Sequence, residues 1–322
     1  MVRKIAILTS GGDAPGMNAA VRVCIRAGLF YGKEMFVIYD GYKGLVDGDI
    51  HQVTKDFTAD IINRGGTIIR SARLPEFSDE EVQKKAIQQL RDYEIDCLIG
   101  IGGDGTFKGL RALSRLGFRC IGIPGTIDND VASSEYTIGF MTALNTICEC
   151  IDKIKDTSSS HQRCSVIEVM GRHCGDLAIF SGIAEAAEIT ITYDHHVDEE
   201  VLFRKLRRLK TMKKNHAIVI VSENLLDVKE LAKRIEKETG FETKSEILGR
   251  LQRGGSPCAF DRILASRLGS RAIELCLEEN PETTGRICGM HQGKVVDYDI
   301  EEALEMQRDP HKELVGLIDL LQ

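Results

Sequence analysis

Two short loops rich in glycine and aspartate contain the residue types that phosphoryl-transfer chemistry needs. Residues 102–106 read Gly-Gly-Asp-Gly-Thr, and residues 124–130 read Pro-Gly-Thr-Ile-Asp-Asn-Asp. The first loop offers backbone N–H groups without Cβ interference and one carboxylate, which suits phosphates and a hard cation such as Mg²⁺. The second loop offers a hydroxyl and two carboxylates, one of which could take a proton from an alcohol. Together they favour a kinase acting on a small hydroxyl compound.

Each loop also has a purely structural explanation. Asp104 could cap the helix that follows it, and Asp128 and Asp130 could belong to a turn rich in Asp and Asn. We interpret this second segment as extended, so that residues i and i+2, and with them both carboxylates, face the same way. A third loop, Gly11-Gly12-Asp13, could bind a phosphate or only turn the chain. It lacks the Gly-Lys-Ser/Thr ending of a Walker A loop.

Five arginines in predicted loops could complete a phosphate site, because the guanidinium fork matches phosphate oxygens. They are Arg73, Arg163, Arg172, Arg250 and Arg253. Any one of them could instead be a solvated surface charge. The basic run over residues 204–214 favours a solvated helix face, with an anion pocket as the alternative.

The elements that must position these loops alternate between strand and helix. Both central loops follow apolar runs, at residues 97–101 and 120–123, that predict buried strands, so the loops should lie at carboxyl strand ends. Further predicted strands are 4–8, 34–39, 165–169, 189–192 and 217–221, and predicted helices are 17–30, 78–93, 140–154, 176–187, 198–212 and 228–239, with a last helix after Asp309. Residues 158–160 and 254–257 interrupt the pattern. The alternation predicts a parallel α/β architecture.

Length and composition exclude several classes of protein. A chain of 322 residues exceeds the roughly 250–300 at which single cores stop growing, so we expect two domains. Net charge of −7, no Trp and 6% aromatic residues argue against a nucleic-acid partner. Without a signal peptide or an apolar run near ~20 residues, we expect no membrane partner and a cytoplasmic location. None of the ten cysteines forms a Cys-x-x-Cys pair, so we interpret them as structural thiols.

The loops, in this order, resemble the ATP-dependent 6-phosphofructokinases of the bacterial type. The matching motifs are residues 8–18, 124–130, 156–163, 168–172, 252–257 and 261–267. The resemblance implies two similar doubly wound three-layer α/β domains with the active site in the interdomain cleft. It implies an ATP-binding domain at 1–138 plus about 251–305, and a sugar-phosphate domain at 139–250 plus about 306–322. It also implies a homotetramer whose sites are completed across subunits.

The resemblance assigns roles to individual residues. Asp128 would take the proton from the 1-hydroxyl of fructose 6-phosphate, and Asp104 would hold Mg²⁺. The transferring phosphoryl group would be surrounded by Gly12, Arg73, Thr126 and Arg172. ATP would contact Gly12, Tyr42, Arg73, Leu74, Gly103, Asp104, Gly105, Thr106, Lys108 and Gly109. The sugar phosphate would contact Thr126, Ile127, Asp128, Asp130, Met170, Gly171, Arg172, Glu223, Arg250, Leu251, Gln252 and Arg253, with Arg163 and Lys244 reaching in from a neighbouring subunit.

Two glycines favour ATP as the phosphoryl donor, and three positions depart from the family pattern. Diphosphate-using relatives carry Asp where Gly105 stands and Lys where Gly125 stands, and either side chain would fill the room that ATP needs. The family usually has His at Arg250, Arg at Lys244 and often Phe at Leu74. Lys244 in place of Arg loses the bidentate fork, and Arg250 adds a permanent charge and bulk that could alter affinity or shift sugar preference.

An effector pocket for ADP or phosphoenolpyruvate is also implied by the resemblance. Its residues would be Arg22, Arg26, Lys55, Asp60, Lys155, Ala186, Glu188, Met212, Lys214 and His216. Lys55 and Lys155 replace arginines, and Met212 replaces a lysine. Since the Met212 change removes a phosphate-binding charge, we expect weakened or altered allosteric control.

Two alternatives remain open. One is a paralogue acting on another ketose phosphate, such as tagatose 6-phosphate, or using diphosphate. The other is a non-catalytic nucleotide-sensing subunit, which would be expected to lose Asp104, Asp128 or Arg172. All three are present.

Overall fold

The computed structural model describes residues 2–279, 283–309 and 311–321. The chain divides into two compact units, each assembled from three separate segments. Unit 1 comprises Met1–Ile127, Val131–Thr142 and Arg253–Arg308, and unit 2 comprises Asp128–Asp130, Ala143–Gln252 and Asp309–Gln322.

Strands and helices follow one another along the described chain. They are β1 (Lys4–Thr9), α1 (Met17–Phe30), β2 (Glu34–Ile38), α2 (Gly41–Asp47), β3 (Ile50–Val53), α3 (Glu80–Asp92), β4 (Cys97–Gly102), α4 (Asp104–Arg115), β5 (Cys120–Thr126), β6 (Ile138–Gly139), α5 (Phe140–His161), β7 (Cys164–Val169), α6 (Asp176–Ala184), β8 (Ile189–Ile191), α7 (Glu199–Thr211), β9 (Ala217–Ser222), α8 (Val228–Thr239), β10 (Thr243–Ile247), α9 (Ala259–Leu277), β11 (Gly285–His291), β12 (Lys294–Asp299), α10 (Ile300–Glu305) and α11 (Lys312–Leu321). Short 3-10 helices occur at Lys55–Thr58, Pro75–Ser78 and Gly249–Arg253. No helix in the described ranges is both long and apolar enough to span a membrane.

Unit 1 is built on an eight-stranded mixed sheet in the order β12-β11-β5-β4-β1-β2-β3, with β6 beside β5. The central strands are parallel, whereas β3 and β12 pair antiparallel with their neighbours at the two edges. On one face, Leu8 packs in a core with Phe107 and Leu110 of α4. Helices α1 and α9 pack on each other and on the strands of this sheet. Successive residues of β1 from Ile5 to Thr9 are therefore buried, as expected for a covered parallel sheet.

Unit 2 is built on a four-stranded parallel sheet in the order β10-β7-β9-β8. Leu206 of α7 and Ile235 of α8 share a core with Val166 and Val219 of the sheet. Helix α6 contacts β8 and β9, and α11 packs on α6. The predicted α/β fold with parallel strands is confirmed.

One predicted interruption is wrong, because residues 158–160 continue helix α5 to its end at His161. Their hydroxyls find partners that a helix allows. Ser158 Oγ bonds the Ser165 hydroxyl at 2.7 Å, and Ser160 Oγ donates to the Asp156 carbonyl at 2.9 Å. These bonds satisfy the serine hydroxyls while the helix continues.

Candidate active site

Three loops of unit 1 lie together at the carboxyl ends of the adjacent strands β1, β4 and β5. Thr106 Oγ1 donates to the Ser10 carbonyl at 3.0 Å, which ties the loop after β4 to the loop after β1. A Cβ at Gly103 would lie 3.6 Å from Thr126 Cβ, so the loop after β4 also adjoins the end of β5. The edge of the sheet therefore carries Gly11, Gly12, residues 102–106 and Thr126, as the sequence predicts.

The glycines of these loops differ in backbone conformation and in what surrounds them. Gly11 has φ +86°, a left-handed conformation that side chains disfavour. A Cβ at Gly12 would lie 2.6 Å from Arg253 Nη1, so that guanidinium covers the first loop directly. At Gly105, by contrast, a Cβ would meet nothing within 4 Å. Gly105 thus borders open space, which a bound molecule can occupy.

Asp104 does not cap helix α4, so this structural alternative is excluded. Gly103 is the N-cap residue, and Asp104 is the first residue of the helix. Its Oδ2 accepts from Lys108 Nζ at 2.7 Å, and its side chain is 39% exposed. Within the described ranges, no three His, Cys, Asp or Glu side chains are grouped as metal ligands. One accessible carboxylate fits Mg²⁺, because this ion is usually held by one or two carboxylates together with substrate phosphates.

The segment that carries Arg73 is fastened to the first loop. Ser71 Oγ donates to the Gly11 carbonyl at 2.8 Å, and Thr9 Oγ1 donates to the Arg70 carbonyl at 2.8 Å. The Arg73 side chain is exposed, and no ion pair involves it within the part of the chain that the structure describes. Its charge is therefore available to an anion beside Gly11.

Two side chains predicted to contact ATP point into the protein instead. Tyr42 is 5% exposed, its hydroxyl donates to the Thr106 carbonyl at 2.6 Å, and its ring stacks on Phe77 at 4.2 Å. Burial raises the pKa of Tyr42 well above its usual value. The Thr106 side chain is 2% exposed. These side chains brace the start of α4, whereas Gly103, Asp104 and Gly105 remain accessible to a ligand.

In unit 2, two neighbouring strands end in loops that present Arg172. The Arg172 N–H donates to Glu223 Oε1 at 2.7 Å, which joins the loop after β7 to the end of β9. Gly171 has φ +131°, and a Cβ there would lie 2.5 Å from the Cys174 carbonyl. Arg172 itself has φ +59°. Glu223 therefore fixes a sparsely populated backbone conformation that leaves the Arg172 side chain exposed.

The prediction of an extended segment at residues 128–130 is wrong. The chain bends at Asp128, and Asn129 lies in the left-handed region with φ +53°. Asn tolerates this conformation better than most residues, and its Nδ2 donates to Asp176 Oδ2 at 2.8 Å. The argument that residues i and i+2 face the same way therefore does not hold for Asp128 and Asp130.

The predicted sugar contacts near residue 250 fall into buried and exposed groups. Gln252 is fully buried; its Oε1 accepts from the Met170 N–H at 3.0 Å and its Nε2 donates to the Gly249 carbonyl at 3.0 Å. Arg250 and Leu251 are exposed. Gln252 thus holds the end of β7 in place, while Arg250 remains accessible.

Arg163 and Lys244 lie at the opposite end of the sheet from Arg172. Arg163 Nε donates to Glu242 Oε1 at 2.7 Å, and Lys244 Nζ lies 3.6 Å from the same oxygen. Arg163 precedes β7 and Met170 follows it, a span of roughly 23 Å at about 3.3 Å per residue. The chain does not bring these two cations to its own Arg172. Glu242 was not among the predicted site residues, although its position two residues before Lys244 predicts that both side chains lie on the same face of the strand.

Several of the predicted effector residues already have partners within the chain. Lys155 Nζ bonds both the carbonyl and the carboxylate of Glu185, at 2.7 and 2.5 Å. Lys214 pairs with Glu188. Burial lowers the pKa of His216, whose Nδ1 lies 2.7 Å from the Ser159 hydroxyl.

The predicted effector residues of unit 1 include Arg26, whose Nε donates to Thr58 Oγ1 at 2.6 Å. Thr58 Oγ1 in turn donates to the Lys55 carbonyl at 2.6 Å. Arg22 is half-buried, and Asp60 has φ +51°.

The fold and the loops together define an α/β protein with glycine-rich loops at one edge of a parallel sheet, and comparison with known proteins identifies its family. A family model described as Phosphofructokinase matches residues 4–276. The chain therefore belongs to the phosphofructokinase family.

Individual relatives match over the whole chain. The chain is 52% identical over 322 residues to a Photobacterium profundum protein named ATP-dependent 6-phosphofructokinase, covering 100% of both chains. It is 51% identical to the Teredinibacter turnerae protein of the same name, covering 99% of this chain and 98% of the relative. The solved phosphofructokinase of Saccharomyces cerevisiae superposes with a TM-score of 0.90 at 33% identity, covering 99% of this chain. This chain spans 47% of the length of that yeast chain.

Proposed function

We propose that the chain is an ATP-dependent 6-phosphofructokinase. It transfers the γ-phosphoryl group of ATP to the 1-hydroxyl of fructose 6-phosphate and forms fructose 1,6-bisphosphate, the committed step of glycolysis. The observation that carries this proposal is the 52% identity, over the full length, to a relative of that name. We further propose that unit 1 binds the nucleotide and unit 2 the sugar phosphate. The cytoplasmic location stays a prediction.

Asp128 is the residue we assign as general base. Its carboxylate takes the proton of the 1-hydroxyl as that oxygen attacks phosphorus, so that no positively charged, protonated oxygen has to form. Gly12, Arg73, Thr126 and Arg172 surround the phosphoryl group. The exposed Arg73 and Arg172 supply charge where negative charge is spread over the equatorial oxygens.

Asp104 is the residue that would hold Mg²⁺ beside the backbone N–H groups of residues 102–106. When bound, the ion supplies positive charge against the phosphates. Release of Asp104 from its contact with Lys108 Nζ, at 2.7 Å, frees that ammonium group for a phosphate oxygen as well. The nucleotide contacts therefore come from backbone groups and Lys108 more than from Tyr42 or Thr106.

ATP rather than diphosphate is supported by the open space at Gly105, and packing disfavours a side chain at Gly125. A Cβ at Gly105 would meet nothing within 4 Å, so the space in front of this glycine is open to a nucleotide. A Cβ at Gly125 would lie 3.0 Å from Ile101 Cγ2 and 3.4 Å from Met17 Cε, so even a small side chain would crowd this position.

We propose that the active enzyme is a homotetramer, with Arg163 and Lys244 serving the site of a neighbouring subunit. The support is their position at the end of β7 and β10 opposite to Met170 and Arg172. Glu242 holds the two cations near each other in the absence of substrate, and a sugar 6-phosphate would bind them in its place.

The experiment that tests the function measures fructose 1,6-bisphosphate formation with a coupled aldolase assay. Fructose 6-phosphate is supplied with Mg-ATP or Mg-diphosphate, and tagatose 6-phosphate serves as the sugar control. We expect turnover with ATP and fructose 6-phosphate. Turnover only with diphosphate, or only with tagatose 6-phosphate, would overturn the proposed donor or sugar, and in the second case would point to Arg250 and Lys244.

A further inference from the structure

Two histidine–aspartate pairs hold helix α11, together with His311 just before it, to the rest of unit 2. His195 Nε2 lies 3.0 Å from Asp319 Oδ1, and His311 Nε2 lies 3.1 Å from Asp176 Oδ2. The Asp319 side chain is 69% exposed, whereas the Asp176 side chain is fully buried. The two contacts are alike in kind, but only the second involves a carboxylate enclosed by the protein.

Asp176 connects His311 to Asn129, the residue between Asp128 and Asp130. The same Asp176 Oδ2 that faces His311 accepts from Asn129 Nδ2 at 2.8 Å. Asn129 is 4% exposed and has φ +53°. Because surrounding contacts must hold a non-glycine residue in this conformation, the Asp176 contact helps to set the direction in which Asp128 leaves the turn.

Further contacts hold His311 beside this carboxylate. The ring packs edge-on against Phe180 of α6 at 5.7 Å between centroids. The His311 backbone N–H donates to Asp309 Oδ1 at 2.9 Å. Since a buried carboxylate is costly without donors, loss of the His311 ring would remove one donor from Asp176 and weaken its hold on Asn129.

We propose that His311 and Asp176 are positioning residues for the phosphoryl transfer. His311 donates to Asp176, Asp176 holds Asn129, and Asn129 keeps Asp128 directed at the sugar hydroxyl. The inference rests on the proposed function in that it takes Asp128 as the base. Neither His311 nor Asp176 touches the reactants; they act through Asn129. Misplacement of a catalytic group by about 1 Å can cost as much as about 100-fold in rate.

The test compares His311→Ala and His311→Gln with Asp319→Asn. The Asp319→Asn control removes the charge from the other pair that holds α11 and leaves Asp176 and Asn129 untouched. For His311→Ala we expect kcat to fall by about tenfold, with KM for ATP and fructose 6-phosphate within about threefold. His311→Gln keeps an N–H donor near the position of Nε2, so it should restore most of kcat. Asp319→Asn should keep the kcat of the wild type.

A second readout does not depend on activity. Hydrogen–deuterium exchange of a peptide covering residues 127–131 should accelerate in His311→Ala but not in Asp319→Asn. Equal exchange and equal kcat in both variants would overturn the proposal, and so would failure of His311→Gln to rescue. If the wild-type enzyme did not turn over Mg-ATP and fructose 6-phosphate, the proposed function would fail, while the exchange experiment would still decide whether His311 holds the turn.

Discussion

Asp128 is the residue at which the proposed chemistry is most directly tested. Asp128→Asn removes the base but keeps the size of the side chain, so we expect kcat to fall by about 10²–10⁴-fold. Mg-ATP binding should stay within about threefold, measured by nucleotide-dependent thermal stabilisation. Unchanged turnover would contradict the assigned role, and a lost melting transition would show that the variant failed to fold.

A substitution at Gly105 tests the choice of phosphoryl donor without disturbing the fold. Because a Cβ there meets nothing within 4 Å, Gly105→Asp should leave Tm within about 1 °C while a carboxylate enters the space assigned to ATP. We expect kcat/KM for ATP to fall by at least about 100-fold, a loss of roughly 2.7 kcal/mol of transition-state stabilisation.

Gly109→Ala is the matched contrast on the same helix. Its Cβ would lie 2.5 Å from the Tyr42 ring, so this change should lower Tm through packing strain. If Gly105→Asp lowered Tm as much as Gly109→Ala, or retained full ATP activity, the open space at Gly105 would have no bearing on donor choice.

Residue types were easier to predict than side-chain directions. The glycine loops and Asp104 follow from their spacing along the chain and from the strands before them. The left-handed turn at Asn129 could not be predicted, because Asp176 lies 47 residues away in sequence. For the same reason, the buried side chains of Tyr42 and Gln252 depend on partners that only the folded chain provides.

At the level of elements, Asp261 fastens the start of helix α5. This fully buried carboxylate accepts from the N–H groups of Gly139 and Thr142 at 3.0 and 2.8 Å, and from the Thr142 hydroxyl at 2.5 Å. Burial raises the pKa of Asp261, although these donors oppose the shift. The carboxylate serves as a cap that reaches α5 from helix α9.

Asp261→Ala should therefore destabilise the protein by about 2 kcal/mol, since it leaves buried donors unsatisfied. Tm should fall by about 4–8 °C in a thermal scan. Asp299→Ala is the control, because Asp299 caps α10 through a single bond to the Glu301 N–H at 2.8 Å. That control should lower the free energy of unfolding by about half as much. Equal losses of stability in the two variants would contradict the larger contribution proposed for Asp261.

The bounds of elements whose apolar residues recur at a regular spacing or form a continuous run, such as α1, β4 and α8, were predicted to within a few residues. The edge strands β3 and β12 were not, because their polar and half-buried residues lack a continuous apolar run. Helix α9 was missed for a different reason. Ala265, Gly269 and Ala272 are small, and Asp261 is charged, so its buried face does not appear in the sequence as an apolar stripe.

At the scale of the whole molecule, shared sites predict complementation between inactive variants. Asp128→Asn and Arg163→Ala should each be nearly inactive at sub-saturating fructose 6-phosphate. In mixed oligomers, a subunit with intact Asp128 can meet a neighbour with intact Arg163. Random 1:1 assembly then restores about a quarter of the sites, measured as activity after co-refolding. Activity no higher than the sum of the separate variants would place both residues in one chain's site.

Effector control should be weak in this enzyme. Met212 is 66% exposed and uncharged, and Lys155 and Lys214 are already paired with Glu185 and Glu188. We expect ADP and phosphoenolpyruvate to shift the half-saturating fructose 6-phosphate concentration by no more than about twofold, read from initial rates. Met212→Lys should enlarge the shift by restoring a cation for phosphate. A strongly shifted sigmoidal curve for the unaltered enzyme would contradict this expectation.

The division of unit 1 into three segments has a consequence for synthesis on the ribosome. Strand β5 pairs with β11, and α1 packs on α9, yet β11 and α9 lie in the last fifth of the chain. A nascent chain of about 250 residues therefore exposes an unpaired strand edge at β5 and an uncovered apolar face on α1. Unit 2 is completed later still, because it includes the segment from Asp309 onward. Until these late segments have been synthesised, free strand edges on the emerging chain favour aggregation.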